Sequence, residues 1–200
     1  MAKASWVKVS PASGSGDGSV AVSSTATHTG RNARNSTLTW KAANVTDVVR
    51  TVMQAGKPEY VDIDDSAASD KAGKVVTIAG VSNSAKLTFT LGTGNLNITL
   101  PSKYTANSVQ TTNGANISGD PGATAEYPFS ISITVPANES TAAQTRQIIV
   151  TDGAGHQDVC VLTSAAGDAY ITIAEGDIEL DYLGTPVTIA VESNTNWTVE

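Results

Sequence analysis

Side chains with the chemistry for catalysis or metal binding are few in this chain, and their spacing assembles no site. His28 and His156 each stand near a glycine in turn-like sequence, and neither belongs to an H-x-x-x-H or H-E-x-x-H pair that would set two imidazoles on one zinc. Both read as exposed loop residues. Cys160 is the one cysteine, so a disulfide framework within the chain and a cysteine zinc site are both excluded. Its apolar neighbours Val159, Val161 and Leu162 give it the reading of a small core residue. The run Asp62-Ile-Asp-Asp65 carries oxygen ligands of the kind calcium takes, but strand alternation splits them between two faces and leaves solvated edge charge. Gly14-Ser-Gly-Asp-Gly18 precedes a strand, not a helix, so it is no phosphate loop. No G-x-S-x-G elbow occurs, and no carboxylate pair suited to glycoside cleavage stands out. The expectation is a non-enzymatic protein with no catalytic residue, no metal and no cofactor. Aromatic faces remain. Trp6 and Trp197 read as core residues, while Trp40 offers an indole on which a sugar ring can stack.

The elements able to position these residues are strands. Hydrophobic residues make up 40% of the 200, yet Trp, Tyr and Phe together number only 3, 5 and 2, and β-branched and small side chains supply much of the rest. Such side chains pack on a pleated surface and lose rotamer freedom in a helix. The nearest approach to a helical stripe, Val45 to Met53, is short and β-branched. Alternation is common instead: 19–23, 86–91, 97–100 and 130–135 each turn one apolar face inward and a Ser or Thr face outward, as antiparallel sheets solvated on one side do. Asp17-Gly18, Asn113-Gly114 and Asp152-Gly153 mark turns that call for positive φ. The fold class is all-β.

The chain also repeats itself. At a constant offset of 110, Leu38 falls on Ile148, Trp40 on Val150, Val49 on Val159, Val52 on Leu162, Tyr60 on Tyr170 and Ile63 on Ile173. Val20 and Val22 match Ile131 and Ile133 after a one-residue slip, and 74–83 matches 185–194 at an offset of 111. A period of that length is close to one seven-stranded sandwich. The repeat is out of phase with the chain: 1–57 reads as the second half of a repeat, 58–167 as a complete one, and 168–200 as a first half.

Residues 5–22 set a Trp strand before S-P-x-S-G, a Gly-rich turn and an alternating strand; Val52-Met-Gln-Ala-Gly56 resembles a terminal V-T-Q-x-G strand, and 186–199 carries S-N-x-x-W. Together these resemble the BACON (Bacteroidetes-associated carbohydrate-binding often N-terminal) domain. Between Asn97 and Tyr127 neither Trp nor S-P-x-S-G occurs, so the middle repeat joins the family through the internal alignment. The resemblance implies tandem immunoglobulin-like antiparallel β-sandwiches, one complete repeat flanked by two half repeats. Such domains occur in carbohydrate-active enzymes and surface proteins of gut Bacteroidetes, and in virion proteins of crAss-like phages.

No apolar stretch of secretory-signal length follows Met1, and no run approaches 18 apolar residues, so synthesis in a host cytoplasm without a signal peptide is expected. The family's bacterial members carry export signals; a virion protein needs none. The net charge is −7 and the 12 Lys and Arg are scattered, which argues against nucleic acid and anionic membranes as partners. Placing 187–200 before 1–20 reads as the uninterrupted middle of one repeat. The two ends thus form complementary halves, with Trp6, Val7, Val9, Val187, Ile189, Val191 and Trp197 at the seam. Completion by a neighbouring chain, closure within one chain, and membership of a longer protein all remain open. Strand poles roughly 30 Å apart and linkers reaching only about 15 Å favour the neighbour. The expected role is a capsid-decorating or head-fibre protein at the virion surface. Its partners would be a major capsid or fibre protein and further copies of itself in a homo-oligomer or head-to-tail array. The alternative is a mucin-glycan-binding adhesion module contacting sugar through Trp40.

Overall fold

The structure, a computed structural model, describes residues 3–200. Met1 and Ala2, which fall in the expected junction between the two ends, lie outside the described residues. The protein is all-β. Its amino-terminal segment forms β1 (Val7–Ser10), β2 (Ala21–Ser24), β3 (Arg34–Trp40) and β4 (Val48–Gln54), and the middle forms β5 (Val61–Ile63), β6 (Ser66–Ser69), β7 (Lys74–Ser82), β8 (Thr88–Gly94), β9 (Lys103–Ala106), β10 (Val109–Thr112), β11 (Tyr127–Val135), β12 (Gln144–Thr151) and β13 (Gln157–Ser164). The carboxy-terminal segment adds β14 (Ile171–Ile173) and β15 (Val191–Ser193).

The middle strands make two sheets, ordered β10-β9-β11-β7-β5 and β6-β13-β12-β8. Alternation builds them. Along β11, Tyr127, Phe129, Ile131, Ile133 and Val135 point inward, while Ser130, Ser132 and Thr134 point away. On the outer face Thr77 and Ser132 hydroxyls meet at 3.0 Å. The inward faces of both sheets close on one core, in which the Phe89 ring stacks obliquely on Tyr104 (5.0 Å) and edge-on to Phe129 (5.9 Å). Cys160 is buried in this core, as expected.

The first middle strand serves both sheets. β5 pairs antiparallel with β7, the chain crosses at Asp64-Asp65, and β6 runs parallel to β13. The Asp65 carbonyl accepts from the Val161 amide (2.9 Å), which stitches the crossing to the second sheet.

Turns occur at Asn113-Gly114 and after Asp152, whereas at Asp17-Gly18 the chain only bends, over 15–17; glycine reaches positive φ at Gly16, Gly114 and Gly155, not at Gly18 or Gly153. At Asp152 the carboxylate collects the Ala154 and His156 amides, which lengthens that turn and moves the strained position to Gly155.

The amino-terminal segment is two hairpins, β1–β2 and β3–β4, tied by the Ala4 amide to Ser36 Oγ (2.8 Å) and by Ser24 Oγ to Gln54 Oε1 (3.1 Å). The carboxy-terminal segment is one short hairpin, β14–β15. Among the described residues no ladder joins these two segments.

Candidate functional site

The same strand registers recur along the chain. In β3–β4, Leu38 faces Arg50 and Trp40 faces Val48; in β12–β13, Ile148 faces Cys160 and Val150 faces Asp158, the same pairing moved by 110. In β5–β7, Val61 faces Ser82 and Ile63 faces Gly80; in β14–β15, Ile171 faces Ser193 and Ile173 faces Val191. Matched positions therefore have matched backbone geometry.

Their environments differ. Ile131 and Ile133 are 1% and 0% exposed, whereas their counterparts Val20 and Val22 are 41% and 40% exposed. Val76 and Ile78 are 7% and 0% exposed; Val187 and Ile189 are 53% and 40%. Ile63 and Val150 lie in the core while Ile173 and Trp40 face solvent. Apolar groups that fill the middle core are thus laid bare in both outer segments, forming two open faces.

Strand lengths show what is missing. In the middle sandwich, residues 74–79 of β7 pair only with β11, β8 pairs only with β12, and β6 only with β13. Near the carboxy terminus the counterparts of 74–79, of β6 and of the first residues of β8 have no such partner among the described residues; from 176 onward only 191–193, the part that β14 pairs, is a strand. The missing neighbours correspond to β2, β3 and β4, which lie in the amino-terminal segment and carry one free edge each.

The sequence-predicted seam residues fall into two sets. Val7 is fully buried and Val9 half-buried opposite Val22, and Trp6 is half-buried with the Arg34 guanidinium 4.6 Å from its ring centroid. Val187, Ile189 and Trp197 are exposed, and Val191 is half-buried against β14. Within each set the residues share one segment, and no ladder unites the sets. Trp40 sits half-exposed at the end of β3, in the position of Val150.

Two asparagines escaped the sequence reading. Asn83, fully buried, accepts from the Tyr60 amide (3.0 Å) and donates to the carbonyls of Thr29, Lys57 and Pro58. Asn194 accepts from the Tyr170 amide (3.0 Å) and donates to Glu139 (2.7 Å) and Asp168 (2.8 Å). Moved by 110 or 111 residues, these are the same contacts. Ser82 and Ser193 repeat the pattern, each hydroxyl donating to the carbonyl of Tyr60 or Tyr170. Lys57 N to Gly30 O (2.9 Å) and Gly167 N to Ser140 O (2.7 Å) close the matched loops. Both outer segments therefore join the middle sandwich through one clasp used twice. The only advance signal was the Ser-Asn match at 82–83 and 193–194. At the first junction Arg31 adds an ion pair with Asp120 and a bond to the Asn83 carbonyl (2.9 Å).

His28 corrects the expectation of an exposed loop residue: it is buried, and its Nε2 donates to the Asn32 carbonyl (2.7 Å), the place that Asn138 fills with Ala142 (2.9 Å). His156 is exposed and bonds the buried Asp152 carboxylate (2.8 Å). Burial, reinforced by Asp64, Asp65 and Asp158, pushes the Cys160 thiol up to about 11. Asp62, Asp64 and Asp65 line a groove of about 350 Å³ beside Gly80 and Val81. Among the described residues no group of three or more His, Cys, Asp or Glu side chains is placed to hold a metal ion, and no helix is long and apolar enough to cross a membrane.

No protein-family model matches the chain, and no curated protein matches it. Among solved structures it is similar to an NMR structure of a protein from Bacteroides thetaiotaomicron, at 12% identity and a TM-score of 0.28, over 56% of this chain and 89% of that one.

Proposed function

We propose that the chain is a non-enzymatic structural protein whose outer segments are complementary half-sandwiches, linking copies head to tail. The observation that carries this reading is the pairing of buried middle-core positions with exposed equivalents in both outer segments. The strand order supports an immunoglobulin-like unit: a first strand split between sheets, β5-β7-β11-β9 facing β6-β13-β12-β8. The amino-terminal segment then supplies the last four strands of such a unit, and the carboxy-terminal segment the first. Burying a Val or Ile side chain contributes about 1.5–3 kcal/mol, so four such residues and two tryptophans provide a large drive to closure. Through the resemblance to BACON-type repeats, the assembly is assigned to a bacteriophage virion as a capsid-decorating or head-fibre component, contacting the major capsid or fibre protein.

Light scattering across a concentration series tests the assembly. Mass should grow with concentration, and deleting 169–200 should abolish growth while leaving the middle sandwich folded. A folded monomer of constant mass with both Trp6 and Trp197 buried would sink the reading. Mass spectrometry of purified particles tests the setting, since a decorating protein must be present at stoichiometric amounts.

Carbohydrate binding is the second reading, and the half-exposed Trp40 favours it. Titration with mucin oligosaccharides, with Trp40→Ala as control, decides it. No heat of binding would remove it.

A further inference from the structure

Side-chain sizes at the open seams say what covers them. In the middle sandwich β11 and β7 set Phe129 opposite Gly80, where a Cβ would come within 2.4 Å of the Phe129 ring. The ring fills the space that glycine leaves. Carried along the repeat at 111, Phe129 becomes Gly18 and Gly80 becomes Val191. Large and small have changed sides. A second seam does the same. β12 and β8 set Val150 opposite Phe89. At an offset of 110 Val150 becomes Trp40, and after a one-residue slip beyond Asn194, which sets Trp197 and Val199 in the alternation of Leu87 and Phe89, Phe89 becomes Val199.

Exchanging large and small across a seam stays nearer its volume than enlarging or trimming one side alone, which leaves a clash or a void. Val191 against a phenylalanine would overlap it, and Trp40 against a second large ring would overfill the seam. Each outer segment therefore fits the other better than it fits a middle-type half. They cannot easily meet within one chain. The Asn83 clasp lies beside the Tyr127–Ser82 end of the β11–β7 ladder, and the Asn194 clasp reaches Glu139 beyond its Val135–Lys74 end, roughly 26 Å away at ~3.3 Å per residue.

Building on the half-sandwich reading above, we propose that 187–199 docks on the free edges of β2 and β3 of a second copy in one fixed register: Val22 opposite Val187, Val20 opposite Ile189, Gly18 opposite Val191, and Trp40 opposite Val199. The Val20 and Val22 positions follow from Ile131 opposite Ile78 and Ile133 opposite Val76. The seam is heterologous, so each added copy exposes the same pair of faces again.

The test uses the full chain. Gly18→Phe should raise the concentration at half-assembly more than tenfold, and adding Val191→Gly, which rebuilds the middle pair, should bring it back near the parent value. A double variant Val20→Cys with Ile189→Cys should oxidise to a ladder of covalent multimers, and Val20→Cys with Val187→Cys should cross-link far less; the buried Cys160 does not compete. A double variant no better than Gly18→Phe alone, equal cross-linking by both cysteine pairs, or a disulfide closed within one chain would each overturn the register. A parent chain that never assembles would remove the half-sandwich reading as well; assembly with cross-links in another register would remove this proposal alone.

Discussion

Asn83 holds the first junction with one side chain that both accepts and donates. Removing it leaves the Tyr60 amide and three carbonyls without that partner around a side-chain site that is itself fully buried. Unpaired buried polar groups cost about 1–3 kcal/mol each, so Asn83→Ala should lower stability by about 2–4 kcal/mol, read from urea denaturation. Asn194→Ala should cost under about 1 kcal/mol in the unassembled chain, because its partners Glu139, Asp168 and Tyr170 are exposed to solvent. Cys160 yields a second expectation. Its folded thiol keeps its proton up to about 11, whereas the unfolded thiol releases it near the ordinary 9.0. Between those values the unfolded state binds fewer protons, so stability is whole below pH 9 and falls as pH rises through the window. Burial raises Tyr104 and Tyr127 in the same sense, extending the loss beyond pH 10. Denaturation curves from pH 8 to 11 should show the decline, and Cys160→Ala should flatten its first part. The sequence made Cys160 legible because its neighbours are apolar on both sides. His28 was not legible, since its partner carbonyl depends on how the loop folds back. Asn83 was opaque for the same reason: the Thr29 carbonyl lies 54 residues away.

On the half-sandwich proposal, the strands still missing from the outer segments form only when another copy supplies the neighbouring edge. Residues 186–191 alternate Val, Thr, Ile, Ala and Val after Pro186, and by pattern they read as a strand as clearly as 75–80 do. In the structure only 191–193 of this stretch is one, the part that β14 pairs. Periodicity therefore revealed which face is apolar but not whether a partner edge is present. A strand with no ladder has backbone amides open to water. Hydrogen exchange should find the amides of 187–190 unprotected in dilute chain and slowed at least tenfold on assembly, with 76–79 protected throughout. Unchanged exchange on assembly would mean that some other surface carries the contact. The alternation that makes β1 and β2 strands was legible in the sequence, whereas the pairing and register of β1–β2 and β3–β4 emerge only in the structure.

One clasp used at both junctions gives the whole molecule a constant step from unit to unit. A seam formed between copies continues that step, and a heterologous seam that does not close on itself grows into an open array. A charge of −7 on each copy would set copies in such an array repelling one another outside the seam. The directionality can be tested by blocking one face at a time. Val20→Asp places a carboxylate on the accepting edge, and Ile189→Asp places one on the docking strand; burying either unpaired costs several kcal/mol, more than one apolar side chain contributes. Each variant alone should stay monomeric with its middle sandwich folded, because neither residue belongs to that core. Mixed in equal amounts, they retain one intact accepting face and one intact docking strand between them. The mixture should therefore stop at one-to-one pairs, seen as a single doubled mass in sedimentation or light scattering, and should grow no further. Closure within a chain predicts that mixing changes nothing. A symmetric two-fold contact predicts that both variants fail together, mixed or apart.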